Sequence, residues 1–306
     1  MILCCGEALI DMLPRETVAG EQAFAPYPGG AVFNTAIALG RLEMKPGFLC
    51  GLSRDAFGEM LEASLLEAGV DPDLSPRSDR LTTLAFVRLR DGQASYQFYD
   101  ENTALSQMVE SDIGPLPDTV RALFFGGISL VGEPCGAAFA TLMLREAATR
   151  VTMIDPNIRP SFITDRARYV ARINAMMAAC DIVKLSDEDL HWLEGDGDLG
   201  NLARSIIARG TKVVLITQGA EGATAYTADH EVFVPSQRAR VVDTVGAGDT
   251  FNAGILAALQ SADLLDKEKI AAITQEQLSN AMQMGARCAA ITVSRAGANP
   301  PWAHEL

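Results

Sequence analysis

The 306-residue chain is 48% hydrophobic and 21% charged, the usage of a globular protein with a large buried core, which excludes disorder and fibrous structure. Its 25 basic and 39 acidic side chains give a net charge of −14, a field that repels phosphodiester backbones and anionic headgroups and argues against nucleic acid or a membrane surface as partner. An anionic ligand must be held by local donors instead.

The run Met1 to Cys5 has no basic start and meets acidic Glu7 and Asp11 almost at once, so it reads as a buried first strand, Ile2 to Cys5, rather than a signal peptide. An extended stretch near residues 12–27 follows, then a helix over Ala31 to Leu42, a strand at Gly47 to Cys50 and a helix over Phe57 to Ala68. From Leu81 to Tyr99, LTTLAFVRLRDGQASYQFY reads as two β arms around Asp91-Gly92, a dipeptide suited to a tight hairpin. Strands at Ala122 to Phe125, Val151 to Ile154, Ile182 to Leu185 and Val213 to Thr217 then alternate with helices over Cys135 to Thr149, Asp165 to Ala179 and Leu199 to Ala208. Helices over Ala247 to Leu259 and Gln275 to Ala290 close the chain.

Short apolar runs separated by helical spacing predict an α/β fold: a doubly wound, mostly parallel sheet in a Rossmann-like three-layer sandwich, one domain over residues 1–306. The segments at about 12–27 and 81–100 break the rhythm and are expected to form a small β-sheet. It is either an ordinary edge extension or a lid that closes over ligand and pairs with another subunit. No apolar run approaches the ~20 residues of a membrane span. The six cysteines include no C-x-x-C and read as reduced core residues of a cytoplasmic protein.

Chemistry concentrates in RVVDTVGAGDTFNAGILAAL, Arg240 to Leu259. A β-type run ends at Asp243, Gly246-Ala247-Gly248 turns sharply, and an apolar helix begins. Such a turn aims unpaired N–H groups at one point at the positive end of a helix, an anion cradle. Asp249 in the first turn can accept a proton from an alcohol while those amides hold the negative charge that builds up; the alternative is a simple helix-capping acid. The segment is not a Walker loop, because no Lys-Ser/Thr pair follows, and not G-x-G-x-x-G, because Phe251 stands three beyond Gly248.

In PGGAVFNTAIALGRL, Gly29-Gly30 before a helix permits close backbone approach, and Asn34 one turn on can bond neighbouring hydroxyls of a polyol or be satisfied by backbone. Asp11 follows the first strand towards the C-terminal edge of the sheet, where ligands collect; it can clamp two hydroxyls or be a solvated loop acid. Thr217, Gly219 and Gly222 form a strand end and glycine turn that can touch phosphate oxygens. Arg159 and Lys184, after or within predicted core strands, are cations within reach of the same edge, or ordinary surface charges.

The order and spacing of these segments resemble the ribokinase-type family of carbohydrate kinases over essentially the whole chain. Gly29 to Asn34 is similar to its first signature and Asp243-Thr-Val-Gly-Ala-Gly-Asp249 to its second. GEALIDMLP, TTLAFVRLRDGQASYQFYDENTA, DPNIRP and VKLSDEDL are most similar to its bacterial fructokinases. The resemblance implies transfer of the ATP γ-phosphate to a primary sugar hydroxyl, with fructose the first expectation and ribose or 2-keto-3-deoxygluconate the alternatives. It implies Asp249 as base and Gly246, Ala247 and Gly248 as anion hole. Asp11, Gly29, Gly30 and Asn34 would bind the sugar, with Phe98 and Arg159 closing over it. Lys184, Thr217, Gly219, Gly222 and Asn280 would lie along the nucleotide. Mg²⁺ would accompany ATP, with Asp189 of Ser186-Asp187-Glu188-Asp189 standing where many relatives place a glutamate near Mg water. A monovalent cation, K⁺ for example, would sit by Asp243, Val245, Thr292 and Gly297. A homodimer through the lid is expected from the apolar arm Leu84-Ala85-Phe86-Val87. A dinucleotide-binding oxidoreductase is disfavoured by the missing G-x-G-x-x-G, and a non-catalytic sugar-binding protein by Asp249.

Overall fold

The computed structural model describes residues 1–90 and 93–306, with only the backbone of 88–90 and 93–96. Strand β1 (Ile2–Cys5) is buried on both faces, which is why it reads as an unbroken apolar run rather than an alternation. The chain then forms β2 (Leu9–Glu16) and β3 (Gln22–Gly29), and returns as helix α1 (Ala31–Arg41) and β4 (Gly47–Leu49). Short strands β5 (Leu52–Ser53) and β6 (Arg77–Ser78) pair across α2 (Ala56–Glu67), which starts where Asp55 accepts the Gly58 N–H at 2.8 Å. A second excursion makes β7 (Leu84–Arg90) and β8 (Gln93–Tyr99).

The β-α alternation resumes with β9 (Ala122–Gly126), α3 (Cys135–Glu146), β10 (Val151–Asp155), α4 (Arg166–Ala179) and β11 (Ile182–Ser186). It continues through α5 (Asp187–Glu194), α6 (Leu199–Ala208) and β12 (Val213–Thr217). Strands β13 (Gly222–Tyr226) and β14 (Glu231–Pro235) then turn back, and α7 (Ala247–Ser261), α8 (Lys267–Ala271) and α9 (Gln275–Val293) follow.

The main sheet has the order β14-β13-β12-β11-β10-β9-β1-β4. It is parallel from β12 to β4, with β13 and β14 antiparallel at one edge. Strand order runs outward from β1 in both directions, so the crevice past the ends of β1 and β9 is the switch point where open α/β sheets bind ligands. Helices α1, α7 and α9 pack together, while α3 packs on α4 and α5 on α6, the two groups that right-handed crossovers in opposite directions place on opposite faces.

The second sheet has the order β3-β2-β7-β8. Its register sets Asp11 opposite Ala85 and Ala85 opposite Phe98, so these side chains share one face of the sheet. The other face carries Phe24, Phe86 and Tyr99, ring edges against ring faces at centroid distances of 4.9 and 5.3 Å. The expected apolar arm is thus split between faces: Ala85 and Val87 are buried, while Phe86 joins the outward aromatic row.

The core strands lie within a residue of their expected bounds. The first excursion is a full hairpin over Leu9 to Gly29 rather than an extended stretch from residue 12, and Asp11 belongs to its first strand. Helix α5, which the sequence reading missed, is short and starts on the Ser186 cap, whose hydroxyl accepts the Asp189 N–H at 3.0 Å. The Asp91-Gly92 turn lies outside the described residues. All six cysteines are free and buried, and no helix among the described residues is long and apolar enough to cross a membrane.

Candidate active site

Beyond the switch point, α1 and α7 present their N-terminal ends to one cavity of about 340 Å³. Glu7, Asp11, Gly30, Asn34, Phe98, Gly127, Asn157, Arg159, Phe162 and the 244–249 turn line it. A mostly apolar groove of about 440 Å³ lies beside it, lined by Thr217, Gly219, Gly222, Arg238, Phe251, Ala286, Ala289, Ala290 and Val293 among others. Thr244, Ala247 and Gly248 belong to both linings. The glycine turn is therefore the shared wall of a polar chamber and an apolar one.

The turn needs its glycine at Gly246. That residue caps α7 with φ 78°, and a Cβ there would stand 2.7 Å from the Ala298 Cβ. The Thr250 N–H makes the first helical bond, to the Gly246 carbonyl at 2.8 Å. The amides of Gly246, Gly248 and Asp249 meet no acceptor among the described residues, so they remain available to an anion. Ala247 departs from expectation, because its N–H turns back to the Thr244 carbonyl at 3.3 Å.

Asp249 is 7% exposed and borders the cavity. Its Oδ2 accepts the Asn34 Nδ2–H at 2.9 Å, and the Thr35 hydroxyl donates to its carbonyl at 3.2 Å, so α1 fixes its orientation. Burial pushes its carboxyl up to about 7; the Asn34 bond and Lys184 oppose this, and Asp155 and Glu7 add to it. An acid poised there can take a proton from an alcohol near neutral pH.

Lys184 is buried, its Nζ 2.9 Å from Asp155 Oδ2, and Asn252 Nδ2 donates to the same oxygen at 2.7 Å. Burial works against the ammonium, but Asp155 more than compensates and its pKa is raised. A Cβ at Gly248 would stand 3.2 Å from Nζ, so the charge sits beneath the glycine turn that the two chambers share. Asn280 is exposed on α9 and is not among the residues that line the groove; six residues before Ala286, it lies about 120° around the helix from it.

On the opposite wall, Asp11 is mostly buried and accepts no hydrogen bond among the described residues; desolvation alone lifts it to about 6. Gly29 packs against it, since a Cβ there would meet Asp11 Oδ2 at 2.4 Å. Phe98 from β8 stacks edge-on against Phe162 at 4.4 Å, joining the small sheet to the loop after β10. Arg159 donates to the Asn157 and Ile158 carbonyls. Asn157 itself, left-handed at φ 46°, was missed by the sequence reading although its amide type directly after a strand was a usable signal. Gly127, Ile128 and Phe162 offered no such signal, because they bring shape and backbone rather than chemistry.

Residues expected around a monovalent cation are partly assembled. Asp243 accepts the Val245 N–H at 3.1 Å and the Gly297 N–H at 2.9 Å, joining the two loops. The Thr292 hydroxyl faces inward to Thr250 and the Cys288 carbonyl, which leaves the backbone near Thr292 and Gly297 as the part of this segment expected to face a cation. Asp189 is held up near 6 by burial and by Asp155, against Lys184 and Arg159. Among the described residues no three His, Cys, Asp or Glu side chains are close enough to ligate a bare ion.

A family model for the pfkB family carbohydrate kinases matches residues 1–305. A fructokinase of Rhizobium leguminosarum bv. trifolii is 53% identical over 280 residues, 92% of this chain and 86% of that protein. The crystal structure of a Xylella fastidiosa fructokinase with bound ATP superposes with a TM-score of 0.88 at 29% identity, over 97% of this chain and 93% of the other. An aminoimidazole riboside kinase of Salmonella enterica gives a TM-score of 0.83 at 25% identity, over 97% and 94%.

Proposed function

Since the chain belongs to the pfkB family of carbohydrate kinases and is an ATP-dependent sugar kinase, we propose that it phosphorylates fructose at a primary hydroxyl, giving fructose 6-phosphate. The observation that carries the reading is the turn shared by the polar and apolar chambers, with Asp249 on the polar side. The apolar groove suits a flat base, and the polar chamber, with Asp11, Asn34 and Asn157 on its walls, suits a polyol. The two substrates then meet at Gly246 to Gly248.

Asp249 takes the proton of the attacking hydroxyl. The amides of Gly246, Gly248 and Asp249 and the ammonium of Lys184 hold the charge on the transferring phosphoryl group, which asks of a protein mainly positioning and charge stabilisation. Asp11 and Asn34 orient the sugar, and Phe98 with Phe162 shuts out water, which protects ATP from hydrolysis. Mg²⁺ arriving with the nucleotide would shield its phosphates, with Asp189 and Asp155 facing the metal's waters. Asp243 is the residue suited to hold a monovalent cation behind the turn. In this reading one α/β unit carries the smaller sheet as its lid, and the lid's outward aromatic row is covered by a second copy of the chain.

Coupled ADP release with fructose, ribose, 2-keto-3-deoxygluconate and aminoimidazole riboside tests the specificity. Fructose should give the highest kcat/KM; a tenfold preference for another sugar rejects the assignment.

A further inference from the structure

One buried acid at the cavity is left unused by this chemistry. Glu7, just past β1, is 1% exposed and makes no ion pair among the described residues. Its Oε1 accepts the N–H groups of Ala31 at 2.8 Å and Val32 at 3.4 Å, at the head of α1. Its Oε2 accepts the Ser129 N–H at 3.3 Å, in the turn after β9, and its main-chain carbonyl accepts from Phe33 at 3.2 Å. Gly127 in that turn has φ 66°, and a Cβ there would fall 2.0 Å from Glu7 Oε1, so the carboxylate occupies the place of the missing side chain. The head of α1 and the 127–128 turn are both walls of the polar chamber.

We propose that Glu7 is a positioning residue for the sugar: its carboxylate ties the head of α1, which carries Gly30 and Asn34, to the turn after β9, setting the width of the acceptor chamber and the field at Asp249. The proposal rests on the kinase reading above. A carboxylate suits both ends because it only accepts. A glutamine could serve Ala31 and Val32, but its NH₂ would then oppose the Ser129 N–H donor to donor. The ionisable groups that feel Glu7 are Asp249 of α7, Cys50 after β4, Cys135 of α3 and Tyr169 of α4. Burial raises the acid, and its backbone donors oppose that rise. Its negative charge disfavours ionised Asp249, so removing it should lower the pH at which the base becomes active.

The test compares the full-length wild type with Glu7→Gln, Glu7→Asp and Gly127→Ala, using whichever sugar of the panel the wild type phosphorylates best. A wrong fructose assignment then shows in the wild type, and a wrong role for Glu7 shows only in the variants. Glu7→Gln should raise the sugar KM about tenfold, the scale of a small misplacement of a binding wall, with the ATP KM within twofold. It should also move the acidic limb of kcat/KM to lower pH. Glu7→Asp keeps the charge but shortens the reach, so it should raise the sugar KM and leave the limb in place. Gly127→Ala, which displaces the carboxylate without removing it, should act like Glu7→Asp and decides the matter if Glu7→Gln does not fold. Unchanged sugar KM in these variants, or sugar and ATP KM rising together, overturns the proposal.

Discussion

Asp249 shows how a single residue carries both the chemistry and its cost. Burial holds its carboxyl near 7, so kcat/KM for the sugar should fall as pH drops through about 7, with unit slope, in assays from pH 5 to 9. The same burial disfavours the charged form in the folded chain. A group raised in the native state contributes stability that is full below its unfolded value and lost as pH rises through its folded value. Asp249→Asn, whose side-chain carbonyl can still accept from Asn34, should therefore be more stable than wild type, increasingly so between about pH 4 and 7 and by up to ~4 kcal/mol above that. Urea unfolding at pH 5 and 8 checks this; a variant no more stable at pH 8 than at 5, relative to wild type, contradicts it. Lys184 is the converse case. Lys184→Met leaves Asp155 buried with only neutral partners, the Asn252 amide and the Asn157 N–H, and should lose about 3–5 kcal/mol, read as a lower urea midpoint.

At the scale of elements, the sequence was clearest where both faces are buried. The strands of the parallel sheet were legible almost to the residue because each is an unbroken apolar run, whereas β14, with Val232 and Val234 facing in and Glu231 and Phe233 out, lacks that signal. Helix α5 was hidden because Ser186 to Asp189 reads as polar loop unless the cap is recognised. In the site, Asp249 and Asn34 were legible as an acid and an amide next to glycine turns, and Asp11 as an acid following the first strand to the sheet edge. The outward face of Asn280 on α9 and the pairing of Lys184 with Asp155 were not legible, because neither which way a helix faces nor what a buried lysine pairs with is written in local spacing. The small sheet was recognised from its broken rhythm, but its two faces follow from the register between β2, β7 and β8. Phe98 lies on the inner one and meets Phe162. Phe98→Ala should raise the sugar KM several-fold and increase ATP hydrolysis in the absence of sugar, measured by coupled ADP release; an unchanged sugar-free rate argues against water exclusion by this contact.

For the molecule as a whole, a net charge of −14 is reconciled with an anionic substrate by local means: helix N-termini, a glycine turn with free amides and Lys184 beneath it. The outward face of the small sheet exposes Phe24 at 44% and Tyr99 at 53%. Sedimentation should give twice the chain mass of 32.6 kDa, and Phe24→Asp should shift it towards the single chain; a wild-type monomer at assay concentration contradicts the lid dimer. The central claim is that phosphoryl transfer takes place at the turn between the two chambers, with Asp249 as the base. Its most direct test is sugar-dependent ADP release by Asp249→Asn at saturating ATP and sugar and pH 8. Turnover should fall by about two or more orders of magnitude, the scale of losing a general base, with both KM values within a few fold. Turnover equal to that of the wild type would contradict it.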